Sequence, residues 1–126
     1  MKEFLNKVRE FQVASEQLVN DKPTNCNYIE TELRHGLMLE ENDEYFDATD
    51  AGSLIGTLDA VVDMAYVLFG TINAHGLQDL FVEAFNLVHE NNMTKCVDGK
   101  VIRNEFGKIL KPENFVPVDL KQLFNK

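Results

Sequence analysis

The sequence predicts an all-α fold, a four-helix bundle closed by a small C-terminal β-hairpin, and three observations predict it. Apolar residues recur every three or four positions in four successive segments. Short breaks rich in Asn, Asp, Pro and Gly separate those segments. After Met93 the pattern changes to short β-like runs around Gly-containing turns. At 126 residues the chain has the size of one domain, so residues 1–126 are expected to form a single helical domain, with about 96–126 as hairpin and extended tail.

The first helix is predicted from about Lys2 to Val19, with Phe4, Val8, Phe11 and Leu18 on one face and Ser15 filling a slot in it. Asn20 to Asn25, with Pro23, is a loop. The second helix is predicted from about Tyr28 to Ala48. Ile29, Leu33 and Leu37 set its inward stripe, and continuing by four, three and four residues gives Glu41, Glu44 and Ala48. Thr49 to Ser53 is a short connection that makes the next helix an antiparallel neighbour, with Asp50 or Ser53 as its cap. The third helix, about Leu54 to Ala74, is apolar nearly all round, the mark of a central buried helix, and Gly76 is its stop. The fourth, about Asp79 to Met93, turns Leu80, Ala84, Leu87 and Val88 inward. Val97–Arg103 and Phe106–Lys111 read as the hairpin, and Pro112 and Pro117 impose an extended tail.

The chemistry lies in carboxylates on the second and third helices. Glu41 and Glu44 are three apart and Asp59 and Asp63 four apart, so each pair shares one face of its helix. Packed antiparallel about the short connection, the pairs meet at similar height. From Gly36 to Met93 there is no Lys or Arg to neutralise them. Ionised carboxylates on an apolar helix are costly unless paired or bound to a cation. An all-oxygen donor set suits Mg²⁺ or Mn²⁺, and Mg²⁺ works with phosphates. A solvated acidic face would explain the second helix alone, but not two aspartates in so hydrophobic a third helix. A di-iron site needs Glu-x-x-His on each of two helices, and only Glu32-Leu33-Arg34-His35 has that spacing, since His75 and His89 do not follow a glutamate by three.

The bulk numbers narrow the classes further. Net charge is −9 and the pI about 4.7, without the basic footprint of a nucleic-acid binder. Cys26 and Cys96 show no metal or redox spacing and fit a reducing compartment. The charged start Met1-Lys2-Glu3-Phe4 is no signal peptide, and the longest apolar stretch, Val61–Leu68, is broken by Asp63. A cytoplasmic protein without membrane segments is therefore expected.

Three ordered blocks now stand together: Glu40-Glu41-Asn42-Asp43-Glu44; Leu58 to Thr71 with Asp59 and Asp63; and His89-Glu90-Asn91-Asn92-Met93-Thr94-Lys95. A tail with Asp98-Gly99-Lys100 and Gly107-Lys108-Ile109-Leu110-Lys111-Pro112 follows. From about Phe4 to Leu120 the chain resembles the all-α nucleoside triphosphate pyrophosphohydrolases, the MazG-like superfamily, and within it the phosphoribosyl-ATP pyrophosphohydrolase-like branch. That resemblance implies Mg²⁺, with Mn²⁺ as substitute, held by Glu41, Glu44 and Asp63 together with Asp59. It implies Glu40 as the group that orients or deprotonates a water attacking the α-phosphorus of a nucleoside triphosphate, releasing monophosphate and pyrophosphate. The superfamily often has Glu-x-x-Asp in its second block. Here Ala60 stands three before Asp63, so Asp59 serves instead.

A triphosphate in so acidic a protein needs cations beyond Mg²⁺, and Lys95, Lys108 and Lys111 lie outside the acidic helices as candidates. Asn92 joins them because the resemblance places an asparagine there. The surplus apolar surface of the third helix points to self-association, and the resemblance implies a homodimer or a dimer of dimers. The expected function is nucleoside triphosphate hydrolysis in nucleotide-pool control. Phosphoribosyl-ATP hydrolysis in histidine biosynthesis uses the same carboxylate logic, and a non-catalytic acidic protein-interaction module is the rival from another class.

Overall fold

A computed structural model describes Met1–Phe124. It contains four helices, α1 (Lys2–Ala14), α2 (Tyr28–Asp50), α3 (Leu54–Ala74) and α4 (Gln78–Met93), then strands β1 (Ile102–Arg103) and β2 (Ile109–Leu110) and a 3₁₀ turn at Lys121–Phe124. The all-α class with a C-terminal hairpin is as the sequence predicts. The chain divides into two compact units, Met1–Asp79 and the part from Leu80 onward.

In the first unit α1 and α2 both pack on α3. Three helices end in the same way. A left-handed residue follows each C-cap, and the next N–H reaches back five residues to close the last turn, as Leu77 N does to Ile72 O and Ser53 N to Ala48 O. Gly76 and Gly52 fill that position after α3 and α2, with φ of +66° and +69°. After α1 the position is taken by Glu16 at φ +59°, and Gln17 N bonds Gln12 O at 2.8 Å. That is why α1 stops at Ala14 rather than near Val19. Ser53 caps α3 by accepting Gly56 N at 2.9 Å, and Asn27 caps α2 by accepting Glu30 N at 2.9 Å.

The faces differ from the predicted ones in informative ways. On α1 the buried residues are Leu5, Val8 and Gln12. Phe4 and Phe11 flank them, Phe4 stacking on Phe69 and Phe11 meeting Tyr66 edge-on. Ile29 and Leu33 of α2 are exposed, and the one fully buried residue of that helix is Arg34. The core therefore contains a polar layer. Gln12 Nε2 donates to Gly70 O at 2.9 Å, and Asn73 Nδ2 donates to Gln12 Oε1 and to Leu5 O, each at 3.0 Å. Arg34 pairs with Glu30 at 3.2 Å and donates to Gln17 Oε1 at 2.8 Å. Hydrogen bonding at every step is what makes such a layer tolerable away from water.

α3 is central but not buried throughout. Its end from Gly70 to Ala74 is enclosed, whereas Leu54, Ile55 and Leu58 near its start are exposed, Ile55 to 85%. At 21 residues it is also long and apolar enough to cross a bilayer by length and composition alone, a test that the core helix of a soluble protein passes as well. Its buried end instead lies against the polar layer of Gln12, Arg34 and Asn73.

In the second unit Leu80, Ala84 and Leu87 of α4 are half-buried, and Val88 is exposed. The strands are shorter than predicted, pairing Ile102 with Leu110 and Arg103 with Ile109. The preceding Val97–Lys100 segment is a separate tight turn. Asp98 and Gly99 both have positive φ, and Val97 and Lys100 exchange backbone bonds of 2.8 and 2.9 Å, the geometry favoured for Asp-Gly. Leu123 is buried in the closing 3₁₀ turn.

Candidate metal centre

The site follows from how α2 and α3 run past each other. A Cβ added to Gly70 would meet Arg34 Nη1 at 2.8 Å, and one added to Gly56 would meet Ala48 Cβ at 3.3 Å. Between these two tiers lies the pair Glu41 and Asp63. The levels 34, 41 and 48 on α2 face 70, 63 and 56 on α3, a step of seven residues on each helix in opposite directions. This is the seven-residue seam of two closely aligned antiparallel helices. The same register puts buried Ala60 level with Glu44, where its small side chain leaves room.

Glu41, Glu44 and Asp63 gather so that one oxygen of each lies within 4.8 Å of the others. Glu41 and Asp63 are half-buried and Glu44 is exposed. Glu41 Oε2 is buried and has no hydrogen-bond partner among the described residues. Burial pushes the Glu41 carboxyl up to about 7, reinforced by a hydrogen bond with Glu44 and by the charges of Glu44, Asp63 and Glu40. An orphaned buried oxygen among three converging carboxylates fits a hard divalent cation, which would replace the missing partner and offset the repulsion.

The other predicted residues fall outside this cluster. Asp59 is exposed, one residue off the seam level occupied by Ala60. Glu40 is exposed and lines a shallow groove along α2 with Glu32, Leu33 and Gly36, although its charge still acts on Glu41. Asn92, Lys95, Lys108 and Lys111 belong to the second unit. Asn92 and Lys108 are exposed, with Lys108 N donating to Asn104 Oδ1 at 3.0 Å, and Lys95 and Lys111 both lie over the Phe115 ring. The sequence reading passed over Arg34. Glu30 four residues before it, Asn27 as a helix cap, and Gly70 as a notch in an apolar helix were the available signals.

Residues 8–92 match the family described as phosphoribosyl-ATP pyrophosphohydrolase, a span that holds α2, α3 and the whole carboxylate cluster. No curated protein matches the chain. The family depends on divalent metal, in keeping with the acidic cluster. The chain thus belongs to the phosphoribosyl-ATP pyrophosphohydrolase family of the MazG-like all-α superfamily, hydrolases that act on phosphoric anhydride bonds.

Proposed function

We propose that the protein hydrolyses a nucleoside triphosphate, or its deoxy form, to the monophosphate and pyrophosphate, in control of the nucleotide pool. The carrying observation is the convergence of Glu41, Glu44 and Asp63 around the unpartnered Glu41 Oε2. Those three are the residues that would hold Mg²⁺, with Mn²⁺ as a substitute, and Asp59, exposed on the next helix, is the fourth ligand of this reading. Bound there, the ion would neutralise polyphosphate charge and stabilise the leaving pyrophosphate. Glu40, beside the ligands and exposed, takes the proton of the water whose oxygen attacks the α-phosphorus. The α–β bridging oxygen leaves with pyrophosphate. Asn92, Lys95, Lys108 and Lys111 supply polar and positive contacts to the substrate. The exposed apolar start of α3 supports a homodimer or dimer of dimers. A cytoplasmic location is part of the same reading.

A second reading, phosphoribosyl-ATP as substrate, is favoured by the description of the matched family. Both break the same anhydride. Incubating the protein and Mg²⁺ with ribo- and deoxynucleoside triphosphates and phosphoribosyl-ATP, and identifying products by phosphorus NMR, tests both. Monophosphate with pyrophosphate is the expected result, and relative kcat/KM chooses the substrate. Orthophosphate with a diphosphate would place attack at the γ-phosphorus and overturn the mechanism. A non-catalytic interaction module is disfavoured by membership of a hydrolase family.

A further inference from the structure

Beside the polar layer, α1, α2 and α3 enclose a cavity of about 180 Å³. That is room for about six waters or for one planar heterocycle. Val8, Leu37 and Val67 give it aliphatic walls. Phe11 and Tyr66 form an aromatic corner, their rings edge-on at 5.8 Å. Its floor is Gly70, where an added Cβ would meet Arg34 Nη1 at 2.8 Å and Gln12 Nε2 at 3.3 Å. The missing side chain thus leaves space beside two nitrogen donors.

Arg34 is only 4% exposed. Its Nε and Nη2 are taken by Glu30 and Gln17, and its Nη1 donates to no group among the described residues. Glu30 already balances its charge, so the cavity calls for an acceptor rather than an anion. A buried N–H left unpaired costs free energy that such an acceptor would restore. The amide oxygens that line the cavity are both engaged, Gln12 Oε1 by Asn73 and Gln17 Oε1 by Arg34. Spare capacity among the guanidinium and the amides is therefore that of donors. Leu37 stands one turn before Glu41 and Tyr66 one turn after Asp63, roughly 5–6 Å along each helix from the carboxylates. A nucleoside triphosphate is long enough to bridge that gap.

We propose that this cavity receives the base of the substrate, and that Arg34 determines specificity by selecting a base with a keto oxygen, a 6-oxopurine or a 4-oxopyrimidine. The inference rests on the nucleotide reading of the carboxylate cluster and names the class of base. The keto oxygen accepts from Arg34 Nη1 and Gln12 Nε2, and the ring lies against Tyr66 and Leu37. Adenine and cytosine carry an amino group at the corresponding carbon. Its N–H groups would confront donors away from water, and a site built for one hydrogen-bonding pattern rejects a ligand that leaves its groups unpaired. The adenine of phosphoribosyl-ATP falls in the disfavoured class.

The test has a binding arm and a turnover arm, both on the full chain. Guanosine, uridine, adenosine and cytidine, which carry no phosphate, are titrated into ¹⁵N-labelled protein in chelator. Saturable amide shifts at Leu37, Tyr66, Val67 and Gly70 are expected, with guanosine and uridine bound at least tenfold more tightly than the other two. Arg34→Lys, its helix content checked by circular dichroism, should bring the four within threefold of one another, because an ammonium lacks the planar fork that serves Glu30, Gln17 and a ligand together. Should that variant not fold, the wild-type order decides alone. Shifts elsewhere, no shifts, no preference, or a preference unchanged in folded Arg34→Lys would overturn the inference. The turnover arm compares kcat/KM of the four triphosphates with Mg²⁺, where the same order is expected. Turnover without the binding preference sinks the base cavity alone, and the binding preference without turnover sinks the catalytic reading alone.

Discussion

The raised carboxyl of Glu41 links acidity to metal binding. Its ordinary value of 4.5 moves to about 7 in the folded chain without metal. The folded state therefore keeps a proton that the unfolded chain releases across that window. The stabilising contribution is full below about 4.5 and is lost as pH rises through about 7. Calorimetry in chelator should find wild type and Glu41→Gln alike near the acid end. At the alkaline end wild type should be the less stable, because only it carries the buried charge. Mg²⁺ should raise the melting temperature of wild type more strongly above that window, since the ligand must shed its proton, and an unchanged curve would sink the site. A separate comparison distinguishes the neighbours. Glu40→Gln should lower kcat by roughly 10²–10⁴-fold with little change in Mg²⁺ dependence. Asp63→Asn should weaken both. Loss of metal affinity in Glu40→Gln alone would reverse the roles. Glu41, Glu44 and Asp63 were legible because acids on an apolar helix face invite an explanation. Arg34 was not, because the stripe was drawn through Ile29 and Leu33, which the fold leaves exposed.

At the scale of elements, boundaries were legible where glycine marks them. Gly76 gave the end of α3 at Ala74, whereas α2, expected to end at about Ala48, runs on to Asp50 before Gly52 takes the same left-handed position. Glu16 performs the same left-handed turn without that signal, so α1 was drawn too long. Tertiary contact supplies the reason, since Gln17, just past the turn, reaches Arg34. The seam register was not legible either, because it depends on which small residue meets which large one. Two substitutions probe these close approaches. Gly76→Ala would add a Cβ inside the Lys22 carbonyl at a positive φ and should destabilise by at least about 2 kcal/mol. Gly70→Ala would press on Arg34 and should destabilise by ~1–3 kcal/mol. Gly36→Ala, in open space within α2, serves as the control and should be neutral or slightly stabilising in a thermal melt.

For the whole molecule, exposed apolar surface dominates. Leu54, Ile55, Leu58 and Val62 stand out along one helix. The sequence showed a surplus of apolar residues there but not where it would lie, since burial is a property of neighbours. If a second copy covers this surface, light scattering should report a dimer or dimer of dimers. Leu58→Asp should then shift the mass to a monomer without loss of helical circular dichroism. A wild-type monomer at micromolar concentration would end that proposal.

The tiers along α2 and α3 behave as a vernier. Arg34 against Gly70 and Ala48 against Gly56 are two fixed marks, each seven residues from the level of Glu41 and Asp63, or roughly 10 Å along either helix. Sliding one rod past the other by a fraction of an ångström would alter both marks and the gap between the carboxylates together. For a cation held between these carboxylates, choice between a small ion and a larger one, which turns on differences of that order, would therefore depend on positions outside the carboxylate cluster.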